Sequence, residues 1–153
     1  MGSAAALGLQ GLNSTRDSAL KSVGSGDFDG DGDREFLIVA TDGALFRLDV
    51  TEGQLQQAVP LGNPVATYGW GFTSLGESPI KPVGIADVNG DRMDDVVMVT
   101  PQGDLFAYIM GNGQLLGGAN LGNPSRSWFW NLSSISNYSR PVSISYGKKW
   151  WSW

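Results

Sequence analysis

An offset of 60 residues carries one half of this chain onto the other, and nothing else in the sequence limits its fold as tightly. Asp27-Phe28-Asp29-Gly30-Asp31-Gly32-Asp33-Arg34-Glu35 falls on Asp87-Val88-Asn89-Gly90-Asp91-Arg92-Met93-Asp94-Asp95. The same shift carries Leu37-Ile38-Val39 onto Val97-Met98-Val99, Gly53-Gln54-Leu55 onto Gly113-Gln114-Leu115, Leu61-Gly62-Asn63-Pro64 onto Leu121-Gly122-Asn123-Pro124, and Trp70 onto Trp130. A fixed period of this size means stacked structural units.

Each acidic loop runs into a short stretch rich in β-branched residues, Phe36 to Val39 or Val96 to Val99, closed by a Thr-Asp-Gly or Thr-Pro-Gln-Gly turn. Such runs read as strands. Four strands are expected per unit: an entry strand such as Lys81 to Ala86, the strand after the loop, a third from Leu105 to Met110, and a fourth around Ser127 to Leu132. Four short antiparallel strands per repeat make the blade of a β-propeller, so the predicted fold class is all-β. Residues 1–17 are expected to supply a partial-blade strand, 18–77 and 78–138 two full repeats, and 139–153 a partial third repeat with an aromatic tail. In that third copy Tyr146-Gly147-Lys148-Lys149 stands where an acidic loop belongs. Two full blades cannot close a ring, since open repeat arrays leave faces and edges exposed. Either several copies close it by oligomerisation, three giving about six blades, or the chain is a fragment of a larger propeller.

Oxygen donors at alternate positions with a glycine at the bend suit a hard cation such as calcium. The first loop offers Asp27, Asp29, Asp31, the carbonyl of Asp33, and Glu35; the second offers Asp87, Asn89, Asp91, the carbonyl of Met93, and Asp95, for about two Ca²⁺ per chain. An EF-hand opens in the same way but needs a bidentate Glu at its twelfth position and flanking helices. The twelfth residues here are Ile38 and Met98, so the loops join strand to strand. The competing reading is a solvated turn in which Asp and Asn side chains bond the local backbone.

The chain has 153 residues, 41% hydrophobic, with a formal charge of −5, and two divalent cations would offset four of those five charges. Its 10 basic residues are scattered and outnumbered by 15 acidic ones, unlike the basic stripe a nucleic-acid binder needs. No cysteine or histidine is present, which removes disulfides, thiolate nucleophiles, imidazole general bases and zinc sites built on imidazole. No apolar run has the length of a membrane span. Carboxylate pairs can cleave glycosides, but each conspicuous acid cluster is accounted for by a loop, so the chain is not expected to be an enzyme.

The stretch Asp87-Val88-Asn89-Gly90-Asp91-x-x-x-Asp95-Val96-Val97 resembles the FG-GAP repeats of integrin α-subunit propellers and of related bacterial and fungal repeats, some of them propeller lectins. The likeness runs from about Ser18 to Ile144 in two copies. It implies calcium held between the first two strands of each blade. The sequence departs from the family pattern at Arg92, where a glycine is usual, and in the lost third loop.

Aromatic clusters follow each Leu-Gly-Asn-Pro turn: Tyr68, Trp70 and Phe72, then Trp128, Phe129 and Trp130. Period-two spacing would set Tyr68 beside Trp70, and Trp128 beside Trp130, on one strand face. They serve either as packing between blades or as platforms for sugar rings. The functional expectation is therefore a calcium-binding, lectin-like module; the alternative is a protein-binding adhesion or structural element. Its partners would be a glycan or protein ligand and further copies of itself. Calcium sites of about 0.1 to 1 mM affinity belong to extracellular modules, which points to secretion or a cell surface.

Overall fold

In a computed structural model, residues 19–124 are described. They form two four-stranded antiparallel sheets, each a simple meander, so the described residues are all-β apart from one short helix. The first sheet contains β1 (Leu20–Gly26), β2 (Glu35–Ala40), β3 (Leu45–Thr51) and β4 (Gln54–Gly62). Helix α1 (Pro64–Tyr68) follows, and then the second sheet: β5 (Lys81–Ala86), β6 (Asp95–Val99), β7 (Leu105–Gly111) and β8 (Gln114–Gly122).

The 60-residue offset survives into the strand register. β1 and β2 slip between Ser22 and Gly24, and β5 and β6 slip between Pro82 and Gly84. β3–β4 and β7–β8 likewise carry two matched irregularities each. Both outer hairpins turn through two residues with positive φ, Glu52 (51°) and Gly53 (73°), then Asn112 (49°) and Gly113 (70°). That is the type I′ geometry whose twist suits antiparallel strands.

Alternation along β2 sorts its side chains onto two faces. Leu37 and Val39 join Phe28, Leu45 and Leu61 in a core shared with Phe72 and with Val96, Met98, Tyr108 and Met110 of the second sheet. Ile38 faces the other way, with Leu20 and Leu48, in a smaller cluster. The main core therefore lies between the sheets, where large apolar side chains from both are removed from water. Close approach along β1 requires glycine: a Cβ at Gly24 would stand 2.9 Å, and one at Gly26 2.6 Å, from carbons of Ile85.

The fourth strand lies earlier than the sequence reading placed it. β4 and β8 end inside the Leu-Gly-Asn-Pro motif, at Gly62 and Gly122, whereas residues 67–72, the first-repeat counterpart of Ser127 to Leu132, form the end of α1 and irregular chain. The local chemistry explains the correction. Asn63 caps α1 by accepting the Ala66 N–H through Oδ1 at 2.9 Å, Pro64 occupies the first turn, and Gly69 ends it at φ 71°. Asn and Pro at those positions are helix-start signals. Tyr68 and Trp70 are neighbours, with ring centroids 6.1 Å apart, but through a helix end and not through strand alternation. Ser127 to Leu132, Trp128 and Trp130 lie outside the described residues, as do the expected partial repeats in residues 1–17 and 139–153.

Candidate metal centre

The first acidic loop joins β1 to β2, and its register is fixed by the pairing of Gly26 with Glu35. Asp27 anchors the turn: Oδ1 accepts the Gly30 N–H at 2.7 Å and Oδ2 accepts the Gly32 N–H at 3.1 Å. Asp29 accepts from the Asp31 N–H at 3.3 Å, and Asp31 from the Asp33 N–H at 2.8 Å. Glu35 reaches back under the loop, where Oε2 accepts the Phe28 N–H at 2.9 Å. Phe28 is fully buried, so its side chain pins the loop to the core while its neighbours Asp27 and Asp29 remain at the surface.

These bonds bring ligand oxygens of Asp27, Asp29 and Glu35 within 4.8 Å of one another, the one such carboxylate group among the described residues. Glu35 is 3% exposed. Burial raises its pKa to about 7, and the negative charges of Asp29 and Asp31 push the same way against the Phe28 hydrogen bond. The group fits a hard cation on the chemistry of its donors. All are oxygens, they converge, and one is a carboxyl whose ionisation is opposed by burial and, to a smaller extent, by like charges. Asp31 lies on the same loop but outside the three-carboxylate group.

Arg47 on β3 was not singled out from the sequence. It is buried, forks onto Asp49 through Nε at 2.7 Å and Nη2 at 3.0 Å, and sets Nη1 3.0 Å from Asp29 Oδ2. The last contact is an ion pair without hydrogen-bond alignment, because Nη1 has no hydrogen-bond partner. Burial pulls the Arg47 pKa down, but the hydrogen bond and charge of Asp49, with Asp29 and Glu35, raise it overall. The guanidinium therefore remains charged beside the acids.

The second loop repeats the backbone frame. Asp87 accepts the Gly90 N–H at 2.6 Å and the Arg92 N–H at 2.9 Å. Arg92 takes a glycine-like φ of 72° at the place that Gly32 holds with φ 93° in the first loop, so the substitution is absorbed as strain and not as a different turn. The side chains differ more. Asn89 donates through Nδ2 to Asp91 Oδ2 at 2.9 Å and accepts the Asp91 N–H at 2.9 Å. Asp91 also accepts the Met93 N–H at 2.8 Å. Asp95, with no exposed surface, accepts the Val88 N–H at 3.0 Å through Oδ2 and the Met110 N–H at 2.8 Å through Oδ1. Burial raises its pKa against those two hydrogen bonds, with Asp91 and Asp87 adding to the rise. Asp95 thus reaches back to its loop at Val88 as Glu35 does at Phe28, and is tied to β7 as well.

The two loops touch. The Asp94 N–H donates to the Asp27 carbonyl at 2.7 Å, and the Asp27 N–H donates to Asp94 Oδ2 at 3.0 Å. The Gly113 N–H donates to the Phe28 carbonyl at 3.1 Å. Among the expected ligand-contacting aromatics, Trp70 packs between the sheets, with ring centroids 5.2 Å from Phe106 and 5.5 Å from Tyr108, while Tyr68 is 40% exposed. No helix of the described residues is long and apolar enough to cross a membrane. Comparison of the chain with protein-family models, curated proteins and solved structures found no match.

Proposed function

We propose that this chain is a calcium-binding β-propeller recognition module of the FG-GAP type, lectin-like in activity, with calcium in a structural role. The observation that carries the reading is the convergence of Asp27, Asp29 and Glu35 at the connection between the first two strands of a four-stranded meander. Asp27, Asp29, Asp31, Glu35 and the Asp33 carbonyl would hold one ion, and Asp87, Asn89, Asp91, Asp95 and the Met93 carbonyl the other. Calcium there supplies positive charge that lets neighbouring carboxylates stay ionised and fixes the turn.

Propeller closure is supported by a difference between the two sheets. Phe28 and Leu61 are buried against the second sheet, whereas their counterparts Val88 and Leu121 are 36% and 41% exposed. The second sheet thus presents the kind of face that the first covers with a neighbour, and further copies of the chain are the proposed source of that neighbour. Carbohydrate is the proposed ligand because the exposed Tyr68 ring, backed by Trp70, offers the flat apolar surface on which sugar rings lie. The proposed working place is outside the cell.

Metal removal is the first test. At calcium a hundredfold above its dissociation constant, binding adds about 2.7 kcal/mol per site to stability. Chelation should therefore lower Tm by roughly 10 °C or more for each site emptied, in a domain of about 100 residues. An unchanged melting curve in excess chelator would remove calcium from the account. Solution mass with and without calcium tests ring closure, and a glycan array screened with the parent chain and Tyr68→Ala tests the ligand.

A further inference from the structure

We infer that Asp94 couples the two acidic loops, so that a cation held by one raises the affinity of the other. The inference rests on the calcium reading above. Asp94 sits between Met93 and Asp95, two donor positions of the second loop, yet its own contacts reach the first loop. It grips Asp27, the first donor of that loop, at both backbone polar groups, accepting from N–H at 3.0 Å and donating to C=O at 2.7 Å. A residue held at its own N–H and its own C=O, which belong to successive peptide units, cannot turn without breaking one of those bonds. An ion that fixes Asp27 therefore fixes Asp94, and with it the donors on either side.

Two contacts run parallel to this clasp. A Cβ placed on Gly30 would lie 3.3 Å from Met93 Cγ, so the Met93 side chain rests on the first loop. Met93 Sδ in turn accepts the Asn112 N–H at 3.0 Å, next to Gly113, which bonds Phe28. The corresponding first-loop residue, Arg34, makes a different contact: it donates to the Ser25 carbonyl at 3.2 Å and stands 3.9 Å from Asp94 Oδ2. Asp94 is therefore a positioning residue with a role its counterpart does not share.

Calorimetric titration of the full chain with calcium chloride tests the coupling through a cycle of D87A and D94A. Allosteric couplings commonly amount to about 5-fold or more, so D87A, which disables the second loop, should weaken calcium at the first loop by that factor. In the D94A background the same lesion should leave first-loop affinity unchanged. D94N retains an oxygen that can accept the Asp27 N–H and should preserve coupling; its loss there would overturn the hydrogen-bond route. If D94A does not fold, amide exchange in the parent and in D87A decides: calcium should slow exchange of the Asp94 N–H about 5-fold or more in D87A, and no slowing overturns the proposal. A parent chain that takes up no calcium overturns the metal reading together with this one. Two ions taken up independently overturn this one alone.

Discussion

The two acidic loops share a backbone and differ in how they settle their charge. In the second, Asn89 replaces an acid, its amide bonds Asp91, and both oxygens of Asp95 accept backbone N–H groups. Asn89, Asp91 and Asp95 are thus satisfied by hydrogen bonds internal to their own repeat. In the first, Asp29 and Glu35 converge on Asp27, and the local positive charge comes from Arg47, whose counterpart in the second sheet is Ala107. Asp49 likewise corresponds to Ile109 in the second repeat. The lesson is that one loop frame carries two electrostatic solutions: a dense acid cluster that recruits counter-charge, and a sparser one closed by amides.

Four measurements test that contrast. The largest effect is expected from Arg47→Ala, which leaves Asp49 and Asp29 without their buried partner. Breaking such a pair costs about 3 kcal/mol or more, read by urea denaturation in chelator. Arg47→Ala with Asp49→Ile, which installs the second sheet's residue types, should recover most of the loss because no acid is left stranded at that position. A single variant as stable as the parent would show that Arg47 does not offset the first loop's charge.

Next comes a matched pair at the ninth loop position. Asp95→Asn sets an amide NH₂ against a backbone N–H, and an unsatisfied buried donor costs about 1–3 kcal/mol. Glu35→Gln should be close to neutral in chelator near pH 7, where Glu35 is already half protonated, and should remove most of the calcium-dependent gain in Tm. Equal losses in both variants without metal would erase the distinction between the loops.

A smaller exchange concerns the left-handed position that both loops share. Arg92→Gly should stabilise by about 1 kcal/mol, and Gly32→Ala should destabilise by about the same amount, since a side chain at positive φ costs roughly 1–2 kcal/mol. Nothing lies within 4 Å of a Cβ at Gly32, so backbone strain is isolated from packing there.

The last effect, that of pH, is read on the parent chain without substitution. Folded Glu35 titrates near 7 and its ordinary value is 4.5, so between those values the native chain holds a proton that the unfolded chain has released. Stability in chelator should fall as pH rises through that window. The raised pKa of Asp95 acts with the same sign. Calcium should flatten the slope by holding Glu35 ionised, which melting temperatures at pH 5 and 8 would show.

The loops and the strands beside them were legible because their signals are local: alternating acids, then β-branched runs. β4 and β8 were not, since Gln54-Leu55-Gln56-Gln57-Ala58-Val59-Pro60 is polar and contains a proline, which only an edge strand tolerates. α1 escaped because five residues held by an Asn-Pro start carry no helical periodicity. Arg47 and Asp94 read as ordinary surface charges in a linear sequence. Their roles appear only when β3 is laid against the first loop and the second loop against Asp27. The change from Glu35 to Asp95 was present in the sequence, but the extra tie of Asp95 to β7 depended on knowing where the Met110 N–H lies.

β4 and β8 also guard their outer margins differently. Proline at position 60 removes a donor from one rim, whereas the corresponding residue of β8, Asn120, keeps its amide and a widely exposed Leu116 stands on the same strand. Foreign strands adding laterally to crowded molecules should therefore enlist the β8 rim first, and a proline introduced at 120 would confer there the protection against fibrous association that the other rim already possesses.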